Sequence, residues 1–123
     1  MNGFMIAAGA LASFLLLGQG ASAADAKIEQ ASRLYDTYCA QCHGVSRNGK
    51  GVNTVGLSVQ PRDHSDTAAM SSLPRDQMLR AIREGGAAVN KSALMPSWAS
   101  VLTDAEIEQM ADYLLYVCKC GKP

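Results

Sequence analysis

The stretch YDTYCAQCHG, Tyr35–Gly44, places two cysteines and a histidine within five residues. By spelling alone, Cys39, Cys42 and His43 are compatible with four chemistries. They are a zinc site, a dithiol redox centre, a cysteine–histidine nucleophile, and attachment of a haem through C-x-x-C-H. The surrounding chain discriminates among them. Structural zinc takes four ligands, and this cluster supplies three at most. Cys118 and Cys120 would have to complete the set from a C-x-C tail. A thioredoxin-like C-x-x-C expects a βαβ setting, whereas the sequence around this motif reads as helix. A thiol nucleophile needs its base placed by the fold, and sequence neighbours seldom have that geometry.

The haem reading uses every residue of the motif. One helical turn separates Cys39 from Cys42, so both sulfurs reach the two vinyl groups of one porphyrin and form thioether bonds. His43 then presents an imidazole nitrogen to the iron. One histidine leaves a sixth coordination position, for which Met70, Met78, Met95, Met110 and His64 compete. Met78 and Met110 lie on apolar helical faces, where methionine is ordinarily core filler, and Met70 sits in weakly patterned sequence. Met95 stands in a loop before Pro96, in KSALMPSWASVLTDAEI, and is the better candidate. His64, in PRDHSD, is its rival and would give a bis-histidine site of lower potential.

The N-terminal stretch is unlike the rest. Phe4–Gly18 carries no charge, and Ser13 is its one polar side chain. As a helix it would reach about 22 Å, short of a hydrocarbon core of about 30 Å. Ala21-Ser22-Ala23 follows with small-x-small spacing, so residues 1–23 read as a secretory signal and 24–123 as the mature domain. An uncleaved anchor is the competing reading. Export to the periplasm also agrees with a covalent haem, since such haems are attached outside the cytoplasm. All eleven basic and eleven acidic residues fall in the mature part, which is formally neutral. With no basic stripe, nucleic-acid binding is excluded. After signal cleavage nothing is left to hold a membrane.

Three helices are legible. Ile28, Ala31, Leu34, Tyr35 and Tyr38 recur at helical spacing, and Cys42 continues their stripe to a stop at Gly44. A second helix runs from Pro74 to Glu84, with Met78, Leu79 and Ile82 on its apolar face and Gly85-Gly86 ending it. The third opens on a capping box of Thr103 and Glu106 and carries Ile107, Met110, Ala111, Leu114 and Cys118 on one stripe. Val45–Leu73 between the first two reads as a long loop, reasonable if it wraps something other than protein. Within it, GVSRNGKG (Gly44–Gly51) imitates a phosphate-binding loop but lacks the Ser or Thr after Lys50 and a preceding strand.

Taken together, CAQCHG, the MPSW loop some fifty residues on, and LTDAEIEQMADYL resemble the class I c-type cytochromes over about Ile28–Val117. The resemblance implies an all-α fold, with three or more helices and long loops around one covalent haem c, His43 and Met95 on the iron, and no enzymatic activity. It implies that Ala31 takes the place of a common glycine where the first and last helices cross, beside Tyr35, Tyr113 and Leu114. It also implies a histidine N–H held by a carbonyl near Pro61, and Arg62 and Trp98 as caps for the haem propionates. The run NTVGLSVQPRDHSD is similar to small monohaem cytochromes of electroactive, metal-reducing bacteria.

The implied function is single-electron transfer between redox partner proteins, as a monomer docking through a small apolar patch. Two other readings are a haem-bearing subunit of, or donor to, a periplasmic oxidoreductase complex, and a gas-binding haem sensor. Cys118-Lys119-Cys120 lies outside the family pattern and reads most simply as a short structural disulfide.

Overall fold

The computed structural model describes residues 22–121. The expected export signal, residues 1–23, therefore lies outside the described residues except for Ser22 and Ala23. Helix α1 spans Ala23–Tyr38 and begins on a capping box in which Ser22 and Asp25 satisfy each other's backbone N–H. The expected cleavage point after Ala23 thus falls in its first turn.

Periodicity predicts one helix running on to Gly44. Instead the helix breaks at Cys39 (φ −108°, ψ −33°), and α2 takes up Ala40–His43. At the break, the Cys39 carbonyl accepts from both Cys42 N–H (3.2 Å) and His43 N–H (2.9 Å), a tightening of the 3₁₀ kind. Gly44, at φ 81°, ends the turn.

The connection Val45–Leu73 is not structureless. It holds a 3₁₀ turn at Val52–Thr54 and a short helix α3, Thr67–Ser71, capped by the Asp66 side chain, which accepts from Ala69 N–H. Five residues are too few to show a periodic apolar face, so α3 left no pattern to find. Helix α4 spans Arg75–Glu84, with Pro74 at its cap rather than in its first turn. A second 3₁₀ turn, Gly86–Val89, follows. Helix α5, Asp104–Val117, starts on the Thr103/Glu106 capping box. Its expected stripe of Ile107, Met110, Ala111, Leu114 and Cys118 is buried throughout.

The fold is all-α, with no strand among the described residues. Its most extensive helix pairing joins α1 to α5. Ala31 and Ala111 are fully buried small residues in the shared core, and the rings of Tyr35 and Tyr113 lie 5.7 Å apart. Alanine at position 31 is accommodated in this packing. Arg75 fastens α4 to α5 through Glu108 (2.7 Å) and Asp112 (2.6 Å). At the far end of α5, Cys118 and Cys120 form a disulfide, and the Thr67 hydroxyl donates to the Cys118 carbonyl (2.6 Å), joining α3 to that end. Among the described residues no helix is long and apolar enough to cross a membrane.

Candidate functional site

The helices and the long connection enclose a cavity of about 450 Å³. Much of its wall would otherwise be interior core: Met70, Met78, Ile82, Met110 and Leu114 face it from α3, α4 and α5. Cys39, Cys42, His43, Pro61, Arg62, Met95 and Trp98 all line this same cavity, as does His64. Every residue singled out for cofactor binding from the sequence is therefore brought together.

The local backbone explains the placement of the Cys/His cluster. The break at Cys39 closes a tight turn, and the glycine-rich run Gly44–Gly51 folds back over it. Gly49 N–H donates to the His43 carbonyl (2.9 Å), and Gly51 N–H to the Cys42 carbonyl (3.0 Å). A Cβ on Gly51 would stand 2.3 Å from the Gln41 carbonyl oxygen, so only glycine permits the approach. The stretch that imitates a phosphate loop is thus a clasp on the CAQCH turn.

His43 Nδ1 lies 3.1 Å from the Arg62 carbonyl oxygen, which can only accept. Nδ1 must carry the proton, and the lone pair is left on Nε2. The carbonyl belongs to Arg62, the residue after Pro61. Burial is the main cause holding the His43 imidazole below the usual histidine range. It is therefore a neutral ring with one free nitrogen lone pair, the state in which histidine binds a metal.

Cys39 and Cys42 are both free and half-buried. Burial, and secondarily the neighbouring Cys42, pushes the Cys39 thiol up to about 12. A thiol held protonated in this way is a poor nucleophile and a poor zinc ligand. No group of three or more metal-ligating side chains is found among the described residues. At Cys39 this fits a sulfur that is alkylated rather than ionised.

His64 occupies an unexpected position. Its ring stacks face to face on His43, with centroids 4.3 Å apart and planes 17° from parallel. Two imidazoles stacked in this way do not aim their nitrogens at one metal from opposite sides, so in this arrangement His64 is not placed as a ligand opposite His43. Burial lowers its pKa to about 3, with His43 the next cause. Its Nδ1 is hydrogen-bonded to the Tyr35 hydroxyl at 3.0 Å. Among the described residues, Met95 is the one cavity-lining methionine carried by a loop, since Met70, Met78 and Met110 lie in helices. Trp98 packs against Tyr38 at the wall, with ring centroids 5.6 Å apart.

Sequence reasoning missed Arg47. Its guanidinium lies 4.8 Å above the Tyr35 ring, donates to Tyr113 Oη (2.8 Å), and pairs with Asp36 (2.8 Å). The backbone there is left-handed, at φ 60°. The one signal was an arginine within a glycine-rich run, and it was spent on dismissing the phosphate loop.

A helical shell around an apolar cavity, with C-x-x-C-H on its wall and a histidine fixed by a backbone carbonyl, defines a class I c-type cytochrome. Residues 26–114 match the family described as cytochrome C oxidase, cbb3-type, subunit III, and the chain belongs to that cytochrome c family. Among curated relatives it is 32% identical over 90 residues to the quinohemoprotein alcohol dehydrogenase ADH-IIG of Pseudomonas putida. It is 29% identical over 106 residues to the cbb3-type cytochrome c oxidase subunit CcoP of Azospirillum brasilense. It is 32% identical over 111 residues to the chloroplastic cytochrome c6 of Chlamydomonas reinhardtii. These alignments take in 73%, 86% and 84% of this chain, but 10%, 34% and 63% of the relatives' own lengths. The solved structure of the KustC0563 c-type cytochrome shares the fold, with a TM-score of 0.55 at 23% identity. That similarity covers 75% of this chain and 98% of that one. The family implies a covalently bound haem c and electron transfer, in a typically extracytoplasmic setting.

Proposed function

We propose that this protein is an exported single-electron carrier with one haem c, attached through Cys39 and Cys42 and ligated by His43 and Met95. The observation that carries the reading is the His43 ring: its Nδ1–H is tied to the Arg62 carbonyl (3.1 Å) on the wall of the cavity that Cys39, Cys42 and Met95 also line. When bound, the haem supplies an iron that cycles between ferric and ferrous states.

The chain's own residues do the rest. The carbonyl of Arg62 makes His43 more basic toward a metal and sets its tautomer. Met95 offers a thioether, which with histidine favours a higher potential than two histidines would. Apolar walls from α3, α4 and α5 keep water from the cofactor. Arg62 and Trp98 line the cavity, where their side chains would cap the propionates. Exposed Val59 and Leu94 stand at its rim, which suits docking through a small apolar patch. With formal charge zero, encounter with a partner depends little on long-range steering. Residues 1–23 would direct the chain to the periplasm.

A second reading is favoured by two relatives that are much longer than the matched part. In it, the chain hands electrons to or from a larger periplasmic oxidoreductase, as donor or subunit. Haem quantitation separates the attachment claim from its rivals. One haem per chain should stay with the polypeptide through acid–organic extraction, and complete extraction would refute thioether attachment. Rapid carbon monoxide binding by the ferrous protein would favour a gas sensor instead.

A further inference from the structure

We propose that His64 is a positioning residue for His43, locked in turn by the Tyr35 hydroxyl, so that the pair sets the plane in which the His43 imidazole meets the iron. The proposal rests on His43 being the axial ligand.

The His43 ring has one hydrogen bond, through Nδ1 to the Arg62 carbonyl. A single bond of that kind tolerates rocking of the ring about its side-chain torsion. The His64 face removes that freedom. With the rings 4.3 Å apart and nearly parallel, turning His43 would drive its edge into the neighbouring ring.

That restraint works only if His64 is itself immobile, and it is. The residue is 8% exposed, its backbone N–H donates to the Arg47 carbonyl (2.7 Å), and Nδ1 is bonded to Tyr35 Oη. Tyr35 is 1% exposed and meets the His64 ring edge-on, at 5.8 Å and 74°. The Arg47 guanidinium lies over the Tyr35 ring at 4.8 Å. A rigid series therefore runs from Arg47 through Tyr35 and His64 to His43, linking the clasp loop, α1 and the segment after Pro61. An aliphatic side chain at position 64 would fill the space but could not be fixed by the tyrosine. A polar partner that holds the ligand's orientation acts on the metal without touching it.

Proton NMR of the ferric holoprotein tests this, because the imidazole plane governs how unpaired spin spreads over the porphyrin methyl groups. Tyr35→Phe keeps the buried ring and removes only the hydroxyl. It should change the order or the spread of the haem-methyl resonances, and His64→Leu should change them further. A methyl pattern in both folded variants that superimposes on the native one would overturn the proposal, whatever their thermal stability. If His64→Leu fails to fold, the Tyr35→Phe spectrum decides alone. The native spectrum checks the underlying reading separately. His43 ring protons without hyperfine shifts would refute the ligand assignment, whereas shifted ring protons with an unchanged pattern in Tyr35→Phe would refute only the positioning.

Discussion

Gly86 donates its backbone N–H to the carbonyl of Met95 at 3.0 Å, and this bond seats the methionine loop directly on the end of α4. The approach needs a residue with no side chain. A Cβ on Gly86 would stand 2.2 Å from the Ser92 carbonyl oxygen and 3.2 Å from Met95 Cβ. Gly85-Gly86 is thus both the helix stop legible in the sequence and the platform for the proposed sixth ligand.

Gly86→Ala should therefore act on the ligand before it acts on the fold. Overpacking of this kind costs about 1–3 kcal/mol. Absorbance of the ferric protein should report lost or weakened thioether ligation while far-ultraviolet circular dichroism stays helical.

Arg47 holds the clasp loop to α1 and α5 through Tyr113, Asp36 and Ser32. Arg47→Ala should lower stability by about 1–3 kcal/mol, seen as a lower urea midpoint with an unchanged slope. Arg47→Lys should restore only part of it, because an ammonium cannot reach these partners with a planar fork.

The α5 capping box gives a stability change with a definite pH sign. Bonds from the Thr103 backbone N–H, and then from its hydroxyl, hold the Glu106 carboxyl below its ordinary value of 4.5. In that range the unfolded chain binds the proton more tightly, so Glu106 stabilises the fold above its unfolded pKa. The contribution is lost as pH falls through the depressed folded value. Thr103→Ala should cost about 1 kcal/mol at neutral pH. It should also flatten the pH dependence of the thermal midpoint below pH 4.5, with the haem spectrum unaltered.

Long periodic elements were legible from the sequence, and α5 matched in its cap and along its expected stripe, to which the structure adds buried Tyr113. The candidates Cys39, Cys42 and His43 were legible because C-x-x-C-H is a specific motif, and Met95 because it stands in a loop before Pro96. Trp98 rested on the family resemblance alone, and all five line one cavity. The break at Cys39 was not legible, because it is a change of backbone geometry that no side-chain pattern records. Helix α3 is too short to show a period. The roles of Arg47 and His64 arise from pairings across long sequence separation, with Tyr113 and Tyr35 respectively, that a single sequence does not disclose. His64 could be flagged as a histidine near the iron, but only the stacked geometry takes it off the list of ligands.

The central claim is His43/Met95 ligation of a redox-active haem, and optical redox titration of the holoprotein tests it most directly. The account predicts a single one-electron transition and, in the ferric state, the weak red band of a methionine sulfur bound to iron. That band should vanish in Met95→Ala and persist in His64→Leu. A native protein without it, or a Met95→Ala variant that keeps it, would contradict the account.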